Sequence, residues 1–278
     1  MADKYKHDFF NITFPHEYVA VVEINRPEKL NAFKEVQWLT LRTIFQTLSH
    51  DPSVRAILLT AAGPRAFCSG LDVEAAAAGT LSSRETDGAR QANYMRRHIF
   101  DFQSCITAIE QCEKPVIVAL HGICFGLAID ISLACDIRLA SSDARFSVKE
   151  VDIGLAADIG TLTRLPHANV PMSWVKDVCL TAREFHSEEA LKVGFVSGVY
   201  EGKEGVVEAG LEKAKLLATK SPVAVVGTKE LLNYSKEHGV ADGLNYTAVW
   251  NAAYTQTADM KDAILAGLKK KKVTFAKL

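Results

Sequence analysis

Three carboxylates stand in apolar company between positions 130 and 158 of this chain. Asp130 sits within Gly126-Leu127-Ala128-Ile129-Asp130-Ile131, Glu150 follows Phe146-Ser147-Val148-Lys149, and Asp158 follows Gly154-Leu155-Ala156-Ala157. Taking an ionised carboxylate out of water is costly unless it is paired or protonated. Acids placed this way are either neutralised by partners or used to move protons. Neighbouring carboxylates in a dry pocket push their pKa values apart and leave one charged and one neutral, a base beside an acid. A lone aspartate in a loop is more often a cap or turn residue. Asp72, Asp136, Asp143 and Asp152 fit that reading, and Asp158-Ile159-Gly160 also fits a turn. Asp130 lies inside an apolar helical stretch, where a cap is not expected.

The elements that must position these acids follow from patterning. Residues 18–24 (YVAVVEI) are rich in β-branched side chains and read as a strand, broken by Asn25-Arg26-Pro27. Trp38, Leu41, Phe45 and Leu48 recur at helical spacing, Asp51-Pro52 ends that helix, and residues 54–59 predict a buried strand. A loop at 61–65 and an Ala/Gly-rich stretch at 75–80 follow, and Leu81-Ser82-Ser83-Arg84-Glu85 reads as a mobile connection with a helix start. A long helix is expected over 88–111, a buried strand over 115–120, a helix over 126–135 and a strand over 137–140. This alternation argues for an α/β architecture. Past Glu201 only helices are expected, packed on or reaching out from the core. The expected division is 1–200 for the catalytic core and 201–278 for a helical C-terminal region.

Composition excludes several classes. Hydrophobic content of 48% with 23% charged residues is that of an ordinary soluble globular protein. A net charge of −1 gives no global attraction to nucleic acid or an anionic membrane. No apolar run reaches the length of a membrane span. The start, MADKYKHDFF, lacks the apolar core of a signal peptide and carries acids that a mitochondrial presequence avoids. The six cysteines show no CxxC pair and no zinc spacing, so they read as small hydrophobes in a reducing compartment, with no metal site. Cys68 has no histidine placed beside it, Gly63-Pro64-Arg65 lacks the lysine and serine of a phosphate loop, and His121 reads as a core or turn residue. Ala276-Lys277-Leu278 is similar to the Ser-Lys-Leu peroxisomal address and predicts a peroxisomal location through an import receptor.

Several stretches, in this order, resemble the crotonase (enoyl-CoA hydratase/isomerase) superfamily. They are Asn25-Arg26-Pro27 with Leu30-Asn31-Ala32, then Ala66-Phe67-Cys68-Ser69-Gly70-Leu71-Asp72, then residues 114–122 (KPVIVALHG), then Ala134-Cys135-Asp136-Ile137-Arg138. The resemblance covers nearly the whole chain. It implies a spiral of ββα units with a helical trimerisation region, a homotrimer or homohexamer, and an acyl-CoA thioester as substrate. It also implies an enolate held by two backbone N–H groups, at positions matching Leu71 and Leu127. Substrate-binding positions carried over with them are Ala32, Ser69, Gly70, Leu71, Asp72, Val73, Gly126 and Leu127. Where many relatives have a run of glycines, this chain has Gly126-Leu127-Ala128. A positive φ at Leu127 would strain a leucine, and the larger side chains would narrow the acyl pocket.

The acids select a branch. Hydratases of the family carry glutamates at the positions of Asp130 and Glu150 and generally lack an acid at Asp158. The set Asp130, Glu150 and Asp158, with Gly160-Thr161-Leu162 and Arg164-Leu165-Pro166 behind it, resembles the Δ3,5-Δ2,4-dienoyl-CoA isomerase pattern. That resemblance implies Glu150 as base at C2, Asp158 as proton donor at C6, and Asp130 as a tuning or orienting acid. The reaction belongs to oxidation of unsaturated fatty acids, and it needs no metal or redox cofactor because the thioester is the electron sink. CoA phosphates are expected to meet Lys29 or a C-terminal lysine. The alternatives are an enoyl-CoA hydratase or another acyl-CoA-processing enzyme of this fold and, with less support from the retained acids and the near-neutral charge, a non-catalytic relative binding RNA or protein.

Overall fold

The computed structural model describes residues 3–78 and 87–278. The strands are β1 (Phe10–His16), β2 (Tyr18–Ile24), β3 (Val54–Ala61), β4 (Ala66–Cys68), β5 (Val116–Leu120), β6 (Ile123–Phe125), β7 (Ile137–Ser141), β8 (Arg145–Ser147), β9 (Phe185–His186) and β10 (Val199–Tyr200). The helices are α1 (Glu35–Ser49), α2 (Val73–Ala78), α3 (Gly88–Glu110), α4 (Leu127–Ala134), α5 (Thr161–Arg164), α6 (Met172–Thr181), α7 (Ser187–Val193), α8 (Gly202–Ala218), α9 (Pro222–Ser235), α10 (Val240–Tyr254) and α11 (Ala258–Leu268). The connection expected at Leu81-Ser82-Ser83-Arg84-Glu85 lies outside the described residues.

Two sheets organise the chain. One has the order β1-β2-β3-β5-β7-β10, the other β4-β6-β8-β9. Apart from the antiparallel pairs β1·β2 and β8·β9, neighbouring strands run parallel. From β3 to β8 the chain alternates between the sheets, and helices follow each pair. It therefore winds as a spiral of ββα units. The long strands match the sequence expectation because they are continuous apolar runs, and β3 and β5 are buried throughout. Ile57 and Leu59 face the main core, while Ala56 and Leu58 face a second layer with Ile117, Leu139 and the Val206, Ala214 and Ala218 side of α8.

The sequence reading missed β1 and the small sheet. The three-residue strands β4, β6 and β8 are too short to carry a period of two, yet they aim the functional loops. The C-terminal helices behave differently from α8. Helix α10 has no buried residue, and it rests on α9 through a ladder of Tyr234, Tyr246, Trp250 and Tyr254 rings. Val240, Leu244, Val249, Ile264 and Leu268 are exposed along α10 and α11. The Arg55 guanidinium donates to the carbonyls of Phe275 and Ala276, holding the tail against the sheet. Among the described residues no helix is long and apolar enough to cross a membrane.

Candidate active site

The first candidate donor, Leu71, is set by a polar hub just after β2. Asn31 is fully buried; its amide donates to the carbonyls of Ala62 (2.9 Å) and Ala66 (2.8 Å), and its carbonyl accepts from Arg26 N–H (2.9 Å). Arg26 in turn donates to the Ala32 carbonyl and pairs with Asp72 at 2.7 Å. The hub lays the 30–33 segment alongside the end of β4. Ser69 N–H donates to Leu30, Phe33 N–H donates to Gly70, and Asp72 N–H donates to Phe33. These bonds use the groups on either side of Leu71. Successive backbone groups of an extended chain point to opposite edges, so the Leu71 N–H faces away from Phe33.

The second donor is the opening N–H of α4, one of the groups a helix leaves without an internal partner. Among the described residues, neither the Leu71 nor the Leu127 N–H donates to a backbone carbonyl. The two segments are in near contact: a Cβ on Gly126 would lie 3.8 Å from Gly70 Cα. The left-handed backbone falls on Gly70 (φ 105°) and Gly126 (φ 53°), one residue before each donor. The strain anticipated at Leu127 therefore does not arise. Its side chain, 3% exposed, and the buried Ala128 pack into the main core.

Glu150 arrives from the other side. Gly126 N–H donates to the Ser147 carbonyl (2.9 Å), pinning the end of β8 to the end of β6, and Glu150 starts the turn three residues later. Its Oε1 would lie 3.3 Å from a Cβ on Gly126, and its buried Oε2 has no hydrogen-bond partner among the described residues. Burial, followed by the nearby charge of Asp158, raises its pKa above the ordinary carboxylate value. Asp158 is half-buried and also raised, chiefly by desolvation, while the charge of His98 pulls it down. The Gln103 side chain of α3 donates to the Asp158 carbonyl at 2.6 Å.

Asp130 is 2% exposed on the first turn of α4. Its Oδ1 accepts both the Thr161 N–H (2.6 Å) and the Thr161 hydroxyl (2.8 Å). Asp130 does not cap its own helix, whose N-cap is Gly126; its side chain instead accepts from the first N–H of α5, 31 residues further on. Short-range pattern could not reveal it, because the capped helix is distant in sequence. Burial pushes the Asp130 pKa up to about 7; Glu150 adds to the rise, and Thr161 and Arg164 oppose it. Glu150 thus interacts electrostatically with both aspartates.

The other sequence candidates separate. Gly70, Gly126, Leu71 and Leu127 belong to the donor region, with half-buried Ser69 at its edge. Asp72 is occupied by Arg26 and by the Ala75 N–H at the start of α2, and the Ala32 carbonyl is taken by Arg26. Val73 is exposed, as is Lys29, which lies 3.5 Å from Glu74. His121 is buried and donates from Nε2 to the Gly63 carbonyl (2.9 Å). Burial raises the Cys68 thiol to about 12, which leaves it inert as a nucleophile. No cluster suited to a metal ion occurs among the described residues. A cavity of about 760 Å³ under α9 shares Gln103 and Gly160 with the acid cluster, but Glu150, Asp158, Leu71 and Leu127 do not line it. Sequence reasoning missed Gln103, Thr161 as a side-chain donor, and the Arg164–Glu110 pair (2.9 Å) behind Gly160.

The chain is similar to proteins of one family. Residues 15–277 match the family model described as enoyl-CoA hydratase/isomerase. The human mitochondrial Δ3,5-Δ2,4-dienoyl-CoA isomerase is 41% identical over 280 residues, covering 100% of this chain and 85% of that protein. The Arabidopsis thaliana peroxisomal Δ3,5-Δ2,4-dienoyl-CoA isomerase is 43% identical, over 92% of this chain and 91% of that protein. The crystal structure of an enoyl-CoA hydratase/isomerase from Cupriavidus metallidurans CH34 superposes with a TM-score of 0.85 at 29% identity, covering 96% of this chain and 95% of the other.

Proposed function

Since the chain belongs to the enoyl-CoA hydratase/isomerase family, we propose that it converts 3,5-dienoyl-CoA thioesters to 2,4-dienoyl-CoA thioesters in the oxidation of unsaturated fatty acids. The observation that carries this reading is Glu150: a half-buried carboxyl whose Oε1 lies beside Gly126 and whose buried Oε2 has no hydrogen-bond partner among the described residues, with a second raised acid, Asp158, acting on it electrostatically. The identity to relatives named for this reaction supports it.

In this mechanism the thioester carbonyl oxygen lies against the Leu71 and Leu127 N–H groups. Ionised Glu150 removes a proton from C2, and its unsatisfied oxygen makes it a ready acceptor. The electron pair spreads through the diene onto the carbonyl oxygen, where the two fixed donors and the α4 N-terminus stabilise it. Protonated Asp158 delivers a proton to C6. The substrate loses one proton and gains one; Glu150 ends protonated, Asp158 ends ionised, and exchange with solvent resets both. Asp130, tied to Thr161, keeps its place and acts on Glu150 through its charge. The thioester itself is the electron sink, so the scheme calls on no cofactor. The role assigned to each residue is part of the proposal, as is substrate contact by Ala32, Ser69, Asp72 and Val73.

The proposal extends to organisation and address. Residues 1–200 form the catalytic spiral, and 201–278 assemble the chain into a homotrimer or homohexamer, a role supported by the exposed apolar residues of α10 and α11. A peroxisomal destination rests on Ala276-Lys277-Leu278 and an import receptor that reads it; the relatives are named mitochondrial or peroxisomal.

The test is an absorbance assay. Purified protein given a 3,5-dienoyl-CoA should develop the absorbance of the conjugated 2,4-dienoyl thioester. Addition of water to a 2-enoyl-CoA, with no isomerisation of the dienoyl substrate, would replace this reading with that of a hydratase.

A further inference from the structure

The clamp on Asp130 has a geometry that capping a four-residue helix does not require. Two donors from one fully buried residue, Thr161, converge on one oxygen. The backbone at Gly160 already holds the next constraint: a side chain there would collide with the Arg164 guanidinium, and its Cβ would lie 3.7 Å from the same Asp130 Oδ1. Arg164 is fixed to Glu110 and to the Thr107 hydroxyl of α3, each at 2.9 Å. Gln103, one turn earlier on α3, holds the Asp158 carbonyl. The segment carrying Asp158 is therefore hung at its start from α3 and at its end from α4.

We propose that Thr161 is a positioning residue for the isomerisation, its hydroxyl locking the Asp130 carboxyl and setting the spacing of Asp158 and Glu150 across the acyl chain. This inference rests on the dienoyl-CoA isomerase reading. Thr161 touches no reacting atom in it. An amide alone leaves a carboxyl free to swing about its side-chain torsions; a second donor on the same oxygen fixes both its rotation and the face it turns to Glu150. The charged and titratable groups facing Asp130 are Glu150 from the 150–153 turn, Arg164 from α5 and Cys68 from β4. Thr161 is the neutral donor that balances them. With both donors on Oδ1, any proton carried by Asp130 sits on Oδ2.

Removing the hydroxyl while keeping the shape tests this. Steady-state kinetics on a 3,5-dienoyl-CoA from about pH 5 to 9 would compare wild type, Thr161→Val and Thr161→Ser. In Thr161→Val, kcat should fall roughly 10- to 100-fold while KM stays within about twofold, because alignment is lost and binding is not. Loss of a donor to ionised Asp130 should raise its pKa and leave it neutral over more of the range; with less negative charge facing Glu150, the acidic limb of the kcat profile should move to lower pH. Thr161→Ser, which keeps both donors, should recover kcat and the profile. A merely structural threonine would lower the melting temperature of the valine variant and leave its kcat and pH profile in place; that result overturns the proposal, as does a serine variant that stays impaired. An inactive wild type would instead overturn the isomerase reading, and the role of Thr161 with it.

Discussion

Glu150 Oε1 occupies the space a side chain at Gly126 would need: a Cβ there would approach it to 3.3 Å. The glycine that precedes the proposed second oxyanion donor is thus also the residue that lets the proposed base come close. Its φ of 53° lies in the left-handed region. Gly126→Ala should cost about 1–2 kcal/mol of stability through backbone strain and lower kcat further by displacing Glu150. Gly194→Ala, at φ 84° with open space around it, should carry the strain and leave kcat unchanged. Thermal melts and kinetics on the two variants check the difference; equal kcat in both would remove the argument for Gly126.

The two acids should fail at different steps. In deuterated water Glu150→Gln should lose both product formation and exchange of the C2 proton. Asp158→Asn should lose product but keep exchange at C2, because proton removal still works and delivery to C6 does not. Each loss of turnover should reach about 100- to 10,000-fold. Mass spectrometry of recovered substrate reads the exchange. Near-normal turnover by Asp158→Asn would end its assignment as the C6 donor.

Activity should be bell-shaped in pH. Glu150 must be ionised and Asp158 protonated, so kcat/KM rises as Glu150 loses its proton and falls as Asp158 loses its own. Burial raises both pKa values, which moves both limbs upward from where free carboxylates would set them. A profile flat from about pH 4 to 9 would contradict a two-carboxyl mechanism.

Stability should carry the signature of Asp130. Its pKa is about 7 when folded against 3.8 for the free side chain. Between these values the folded chain holds a proton that the unfolded chain has released. The contribution to stability is therefore complete below the unfolded pKa and is lost as pH rises through the folded one. Asp130→Asn keeps an oxygen for both Thr161 donors and cannot ionise. Its melting temperature should gain on that of wild type between about pH 4 and 8. A constant difference across that range would mean that Asp130 is ionised throughout.

How much of this was legible in the chain depends on the distance over which each signal acts. The strands at 18–24, 54–61 and 116–120 and the helix bearing Asp130 could be read because a run of apolar side chains between breakers is a local signal. The set of acids and the motif around Ser69-Gly70-Leu71 carried the resemblance, and through it the family. Strands β4, β6 and β8, three residues each, gave no such signal, because their formation depends on pairing across the small sheet.

The sequence by itself determined the longer buried strands and most of the helices, the presence of three acids in apolar surroundings, and a glycine before each of Leu71 and Leu127. Tertiary structure decided what those residues meet: Gly126 against Glu150, Asn31 holding the Leu71 segment, and Asp130 bound to Thr161 rather than left alone in its helix. The physical reason is one of range. Torsional preference and burial act within a few residues and are written in local spacing. Hydrogen bonds to a buried carboxyl and the near contact of two backbones depend on how the spiral closes, which no short stretch of chain encodes.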